Sequence, residues 1–204
     1  MNGFEQIKLW LHYNRVTASL IVLSVIVALL SNMGSNPQFI HVLYISEYRQ
    51  GLPEIFAGQI WRLFTPAFIH FGFMHIIFNL LWLYQLGSVI EQRQNMKRML
   101  ILVVIISALS NLAQYFWSGP LFGGMSGVVY GLLAYLWIQG KFNPGAGLWL
   151  DRNTTVMMMI WFVICWLGLV GNIANMAHTI GMVCGVILGL FYSPQLFRKF
   201  NANN

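Results

Sequence analysis

Six stretches of the chain are nearly unbroken runs of apolar residues, at about 16–33, 73–90, 99–117, 126–139, 155–170 and 176–192. A helix of about twenty apolar residues matches the roughly 30 Å hydrocarbon core of a bilayer. The pattern predicts an all-α membrane protein, a six-transmembrane-helix bundle. Residues 34–72 break it. They hold Pro37, Pro53 and Pro66 among scattered aromatics. Connections longer than about 15 residues are usually functional or folded in their own right. Short helices lying in the membrane interface are expected there, with Trp61-Arg62 as an interfacial anchor. Residues 1–15 alternate Glu5, Lys8 and Arg15 with Phe4, Ile7, Trp10 and Leu11, a short interfacial lead-in. No small-residue cleavage site follows the first apolar run, so it reads as a retained anchor. The expected organisation is a lead-in at 1–15, a membrane domain at 16–193 and a polar cytoplasmic tail at 194–204.

Composition agrees with this reading. Of the 204 residues 58% are hydrophobic and 8% charged, against about 25% charged in soluble domains. In a soluble protein the net charge of +6 would point to nucleic acid. Here no nucleic-acid partner is expected, because the basic residues set topology. Lys8, Arg15, Arg93, Lys97, Arg98, Lys141, Arg152, Arg198 and Lys199 fall on one side of the predicted spans, Arg49 and Arg62 on the other. Both termini are therefore expected in the cytoplasm. Cys165 and Cys184 lie inside apolar runs and read as core thiols, not a disulfide framework.

Against this apolar background a few polar residues stand out. Ser126 sits where the turn Gly123-Gly124-Met125 runs into the fourth span. A serine hydroxyl is a poor nucleophile without a base in hydrogen-bond reach. His178, near the start of the sixth span, is the candidate base. Ionisable residues inside a membrane are costly and usually functional. His75 and Asn79 are four apart and share one face of the second span. With the predicted topology all four lie toward the outer leaflet. Gly127, Gly131 and Ala134 on span four, and Gly181, Gly185 and Gly189 on span six, form strips that let two helices approach closely. Pairing those strips would bring Ser126 to His178. The structural alternatives are a serine bonded back to its own helix, a histidine capping its helix, and a polar clamp at His75 and Asn79. No aspartate or glutamate is placed to complete a triad, so a serine–histidine dyad is expected.

These motifs together resemble the rhomboid intramembrane serine proteases, in particular the compact six-helix bacterial type. Trp61-Arg62 looks like that family's first-loop pair, His75-Ile76-Ile77-Phe78-Asn79 like its His-x-x-x-Asn, Gly124-Met125-Ser126-Gly127 like its Gly-x-Ser-Gly, and Ala177-His178-Thr179-Ile180-Gly181 like its Ala-His-x-x-Gly. The resemblance implies Ser126 as nucleophile and His178 as general base. It implies an oxyanion hole from His75, Asn79 and the Ser126 N–H, with Gly124 in the supporting turn and Tyr130 packed on the His178 ring. It implies a structural pair of Glu91 with Arg93. It further implies a bacterial inner membrane, membrane-spanning substrates cut near the outer ends of their helices, and no cofactor. Substrate is expected to enter from the lipid between spans two and five, past Phe78, Trp82 and Trp161. Two other classes remain open from residues alone. One is a metal protein built on His70, His75 and His178. The other is a non-catalytic chaperone or channel on the same fold. Neither the natural substrate nor the oligomeric state is legible.

Overall fold

The computed structural model describes residues 2–193; the predicted tail, with Arg198 and Lys199, lies outside the described residues. Among the described residues there are helices and no strands. Six long helices cover the six apolar runs: α2 (Arg15–Leu30), α5 (Phe73–Gln94), α6 (Met96–Ser118), α7 (Ser126–Phe142), α8 (Arg152–Trp166) and α9 (Asn175–Phe191). Of these, α5 and α6 are long and apolar enough to cross a membrane unaided. Helix α9 is apolar but has 17 residues. The lead-in forms α1 (Gly3–Tyr13), which meets α2 at a bend of 103°. The break falls at Asn14, fully buried, whose amide donates to the carbonyl of Trp10 at 2.7 Å. Phe4, Ile7 and Leu11 of α1 are exposed. Their i, i+3, i+7 spacing makes one apolar stripe, as suits a helix lying on a bilayer.

Helix α7 is the centre of the bundle. It buries 12 of its 17 residues and packs against α9, α6 and α5. Leu83, Leu86 and Ile90 of α5 and Met99, Leu102 and Ile106 of α6 close around its Leu132, Leu133, Tyr135 and Leu136. The α7–α9 contact is backbone on backbone. A Cβ added at Gly181 would fall on the carbonyl of Gly127, and one at Gly185 on the carbonyl of Gly131. Side chains larger than hydrogen at these positions would part the helices. On the α6 side of α7, a Cβ at Gly127 would meet Ser110 Oγ at 2.9 Å. The two glycine strips expected to pair therefore do so.

The segment between α2 and α5 folds into short pieces: α3 (Pro37–Ile40), α4 (Pro53–Phe56) and 3₁₀ turns at Ile60–Leu63 and Thr65–Phe68. Each proline starts or nearly starts its piece, where its missing N–H costs nothing. Trp61 is exposed, as an interfacial anchor requires, but Arg62 is not: it is 2% exposed. Its guanidinium donates to the carbonyls of His41 and Tyr44, both at 3.0 Å, to Gln59 Oε1 at 2.7 Å and to Glu47 Oε1 at 3.0 Å. The arginine organises the loop from within. Glu54 ties the same loop, accepting from Ser46 Oγ at 2.7 Å and Glu47 N at 2.8 Å. Burial would raise its pKa, but these bonds outweigh burial and hold the carboxyl below its ordinary value.

The expected Glu91–Arg93 pair does not form. Among the described residues the ion pairs are Lys8–Glu5 and Arg62–Glu47. Glu91, 4% exposed, instead accepts from Val16 N at 2.7 Å, and from Thr17 N and Thr17 Oγ1 at 2.9 Å each. A carboxylate on the free N–H groups of a helix N-terminus satisfies those donors and meets the positive end of the dipole. The acid thus anchors α2, and Arg93, two residues on and so on the other side of the helix, does not pair with it. The same end of the bundle has a polar network. Fully buried Gln139 donates to the carbonyl of Gly189 at 2.7 Å and to Ser193 Oγ at 2.9 Å, and accepts from Asn143 at 2.9 Å.

Candidate active site

The turn before α7 positions Ser126. Gly124 has φ +123, a region that favours glycine, and its N–H donates to the carbonyl of Pro66 at 3.0 Å. That bond ties the turn to the loop between α2 and α5. Ser126 then begins α7 and is half-buried. His178 stands three residues into α9 and is 4% exposed. The glycine strips set the height of α9 against α7, and at that height His178 Nε2 lies 2.8 Å from Ser126 Oγ.

When the hydroxyl donates to Nε2, the imidazole carries its proton on Nδ1. That nitrogen is buried and meets no hydrogen-bond partner among the described residues. Among the described residues no carboxylate bonds to the histidine. The ring is held instead by packing, with Tyr130 at 4.8 Å between centroids and 43° between planes. Tyr130 is itself fixed, its hydroxyl donating to the carbonyl of Met158 at 3.2 Å and its ring packed edge-on against Phe162 at 5.4 Å. A serine beside a neutral imidazole is the arrangement that makes a hydroxyl nucleophilic.

His75 flanks the same turn. The N–H of Phe71 donates to its Nδ1 at 3.2 Å, so Nδ1 is bare and the proton sits on Nε2. Nε2 faces Gly124: a Cβ on that glycine would lie 2.7 Å from Nε2 and 3.7 Å from Ser126 Oγ. With no side chain at Gly124, the His75 ring and the serine hydroxyl border one small space. Asn79, 6% exposed, donates one amide hydrogen to the carbonyl of His75 at 2.9 Å. An amide has a second N–H, which this bond leaves over. His70 is fully buried with its ring 5.1 Å from that of His75, and its Nδ1 donates to the carbonyl of Phe68 at 3.1 Å. His178 does not join these two in a ligand set, and among the described residues no three metal-ligating side chains converge.

At the side of the bundle the rings of Phe78 and Trp161 lie 6.4 Å apart, a contact between α5 and α8. Trp82, one turn on from Phe78, is half-buried and packs on the main core. Several supporting residues escaped the reading of the sequence. Gln114 Oε1 accepts from the N–H of Ala177 at 3.0 Å, fixing the start of α9 next to His178. Its signal was present: Ser107, Ser110, Asn111 and Gln114 make a polar stripe at i, i+3, i+4, i+7 on an apolar helix, and all four are buried. Phe71 and Met158 act through backbone groups, for which side-chain identity carries no signal.

Comparison with known proteins follows the same lines. Residues 57–195 match the family model of the Rhomboid domain. The chain is 40% identical over 131 residues to proteins described as "Rhomboid protease GlpG" from Salmonella paratyphi A, Salmonella newport and Salmonella typhi. The match covers 64% of this chain and 48% of each relative, so the chain spans about half the length of the curated relatives it matches.

Proposed function

Since the chain belongs to the rhomboid family, we propose that it is an intramembrane serine protease that cuts spanning proteins near the outer ends of their helices. The observation that carries the reading is the 2.8 Å contact of Ser126 Oγ with His178 Nε2. His178 takes the hydroxyl proton as Oγ attacks the scissile carbonyl. The negative charge that develops on the carbonyl oxygen is met by His75 Nε2–H, the remaining Asn79 N–H and the backbone N–H at the start of α7. Preorganised donors of this kind act most strongly where water is scarce. His178 then gives the proton to the leaving amine, and the acyl-enzyme forms. A water, deprotonated by the same imidazole, resolves it. No cofactor enters the scheme.

The six long helices are read as six crossings with both termini in the cytoplasm of a bacterial inner membrane. The support is the excess of basic residues on one face. At 17 residues α7 is roughly 25 Å long, less than the hydrocarbon core. Its N-terminal serine would then lie below the outer surface, with the 119–125 turn dipping in behind it, an irregular segment that membranes tolerate only around a protein-lined cavity. Substrates would be spanning proteins reached from the lipid.

The test is labelling by a fluorophosphonate in detergent, with cleavage of a model spanning substrate measured in parallel. Wild type should label at Ser126 and cleave. Ser126→Ala should do neither while melting as wild type does. Unchanged proteolysis by Ser126→Ala would remove the assignment. Failure of the wild type to label would favour a non-catalytic membrane protein on this fold.

A further inference from the structure

At the end of α5 farthest from Ser126, a cleft of about 350 Å³ opens between α5 and the connection from α7 to α8. Its apolar lining includes Val89 of α5 and Leu150 of the connection, both half-buried. Its rim carries Gln92 and Arg93 of α5 and Trp149 and Asp151 of the connection. Neither charge is consumed by the other. Among the described residues Arg93 is in no ion pair. Asp151 caps α8, accepting from Thr154 N at 2.9 Å, and among the described residues it is in no ion pair; a carboxylate with about four lone-pair sites can accept further donors. Trp149 is 71% exposed beside them, as an indole at a membrane surface would be. The cleft therefore offers a cation, an anion, a neutral amide and an apolar lining in one place, at the level where a bilayer keeps its headgroups.

We propose that this cleft binds the headgroup of a zwitterionic aminophospholipid, with the phosphate on Arg93 and the primary ammonium on Asp151. The reason is charge complementarity. A guanidinium suits a phosphate with two parallel N–H donors. A carboxylate without a cationic partner suits an ammonium that has N–H groups to give. A quaternary choline has none, and a glycerol headgroup has no cation. The first acyl carbons would lie on Val89 and Leu150. The proposal rests on the membrane placement of the chain and not on the chemistry at Ser126, so lipid retention and proteolysis can fail independently.

The test is native mass spectrometry of the full chain released from nanodiscs holding equal amounts of phosphatidylethanolamine, phosphatidylcholine and phosphatidylglycerol. Wild type should retain phosphatidylethanolamine over phosphatidylcholine by about threefold to fivefold, the scale of one partly exposed charge pair. Asp151→Asn should bring the two to parity and leave phosphatidylglycerol unchanged or raised. Asparagine caps a helix as well as aspartate does, so this variant should fold. Arg93→Gln should lower retention of all three lipids. Lys97→Gln, an exposed cation outside the cleft, should change nothing. Equal retention of the ethanolamine and choline lipids by wild type would overturn the proposal. So would a preference that survives Asp151→Asn, a variant whose result stands even if Arg93→Gln does not fold.

Discussion

Helices α8 and α9 follow one another in the chain and are both apolar, yet they pack in opposite ways. Helix α9 lays Ala177, Gly181, Gly185 and Gly189 against α7. Helix α8 buries only Thr154, Met158 and Cys165 of its 15 residues and leaves Met157, Ile160, Trp161, Val163 and Trp166 exposed. The difference is side-chain size, not hydrophobicity. In lipid an apolar surface gains little by leaving its solvent, so helices associate where small residues allow close packing and interhelical hydrogen bonds. A helix of large side chains has no such reason to dock and stays at the edge. His178, the proposed base, sits on the helix held by the glycine seam, and the entrance is proposed beside the helix with few buried residues.

The contrast is tested first at its chemical end. His178→Ala should remove cleavage and fluorophosphonate labelling together, by about 10⁴-fold or more if it behaves like the histidine of soluble serine hydrolases. Its melting temperature should change little, because the seam is made by glycines. Labelling at the wild-type rate would mean that another group activates Ser126.

Gly185→Val strikes the seam itself. The new side chain would collide with the Gly131 carbonyl and with Ala134, whose Cβ lies 3.0 Å from the added Cβ. Steric insertion into a closed interface belongs to the upper range of single-residue effects, about 4 kcal/mol. Stability and activity should fall together. A valine variant that melts and cleaves as wild type does would place the α7–α9 contact elsewhere.

How much of this was legible depends on scale. The six helices, the glycine seam and the meeting of Ser126 with His178 could be read because each rests on a periodic or local signal: apolar runs, small residues at i+4, a Gly-Gly turn. Arg62 was misread as an interfacial anchor because nothing local shows that the carbonyls of His41 and Tyr44 converge on it. Glu91 was assigned to its near neighbour Arg93, whereas its partners are 74 and 75 residues away. Long-range backbone acceptors and donors leave no mark on side-chain pattern. Gln114 is the instructive case between these. Its polar stripe on α6 was visible, but its partner, the N–H of Ala177, was not.

Two smaller effects refine the site and its frame. Asn79→Ala should slow turnover with little change in substrate affinity. Loss of one oxyanion donor costs up to about 3 kcal/mol in soluble hydrolases, and His75 and backbone donors would share the charge here. A loss confined to affinity would reassign the amide to its bond with the His75 carbonyl. Glu91→Gln should lower stability by about 2 kcal/mol, since charged acceptors of buried hydrogen bonds contribute at that scale, and should leave labelling of Ser126 intact. Arg93→Gln should leave the α2 anchor undisturbed, and an equal loss of stability in both variants would restore the acidic–basic pair.

The smallest effect is expected at the edge, and its sign is the informative part. Phe78 and Trp161 meet at 6.4 Å with planes 33° apart, and each is about half exposed. An aromatic pair of this kind contributes about 1 kcal/mol. Alanine at either position should lower the melting temperature slightly by weakening the contact of α5 with α8. If substrate enters there, the same change makes opening easier, so cleavage of a spanning substrate should hold or rise while stability falls. A soluble peptide that reaches Ser126 from the outer aqueous side should show no such gain. A disulfide placed between α5 and α8 should act in the opposite sense, suppressing cleavage of the spanning substrate until reductant is added and sparing the peptide. Should the crosslink form fully while spanning substrates are cut at the normal rate, the entrance lies on another face, and the loose packing of α8 is a consequence of its large side chains alone.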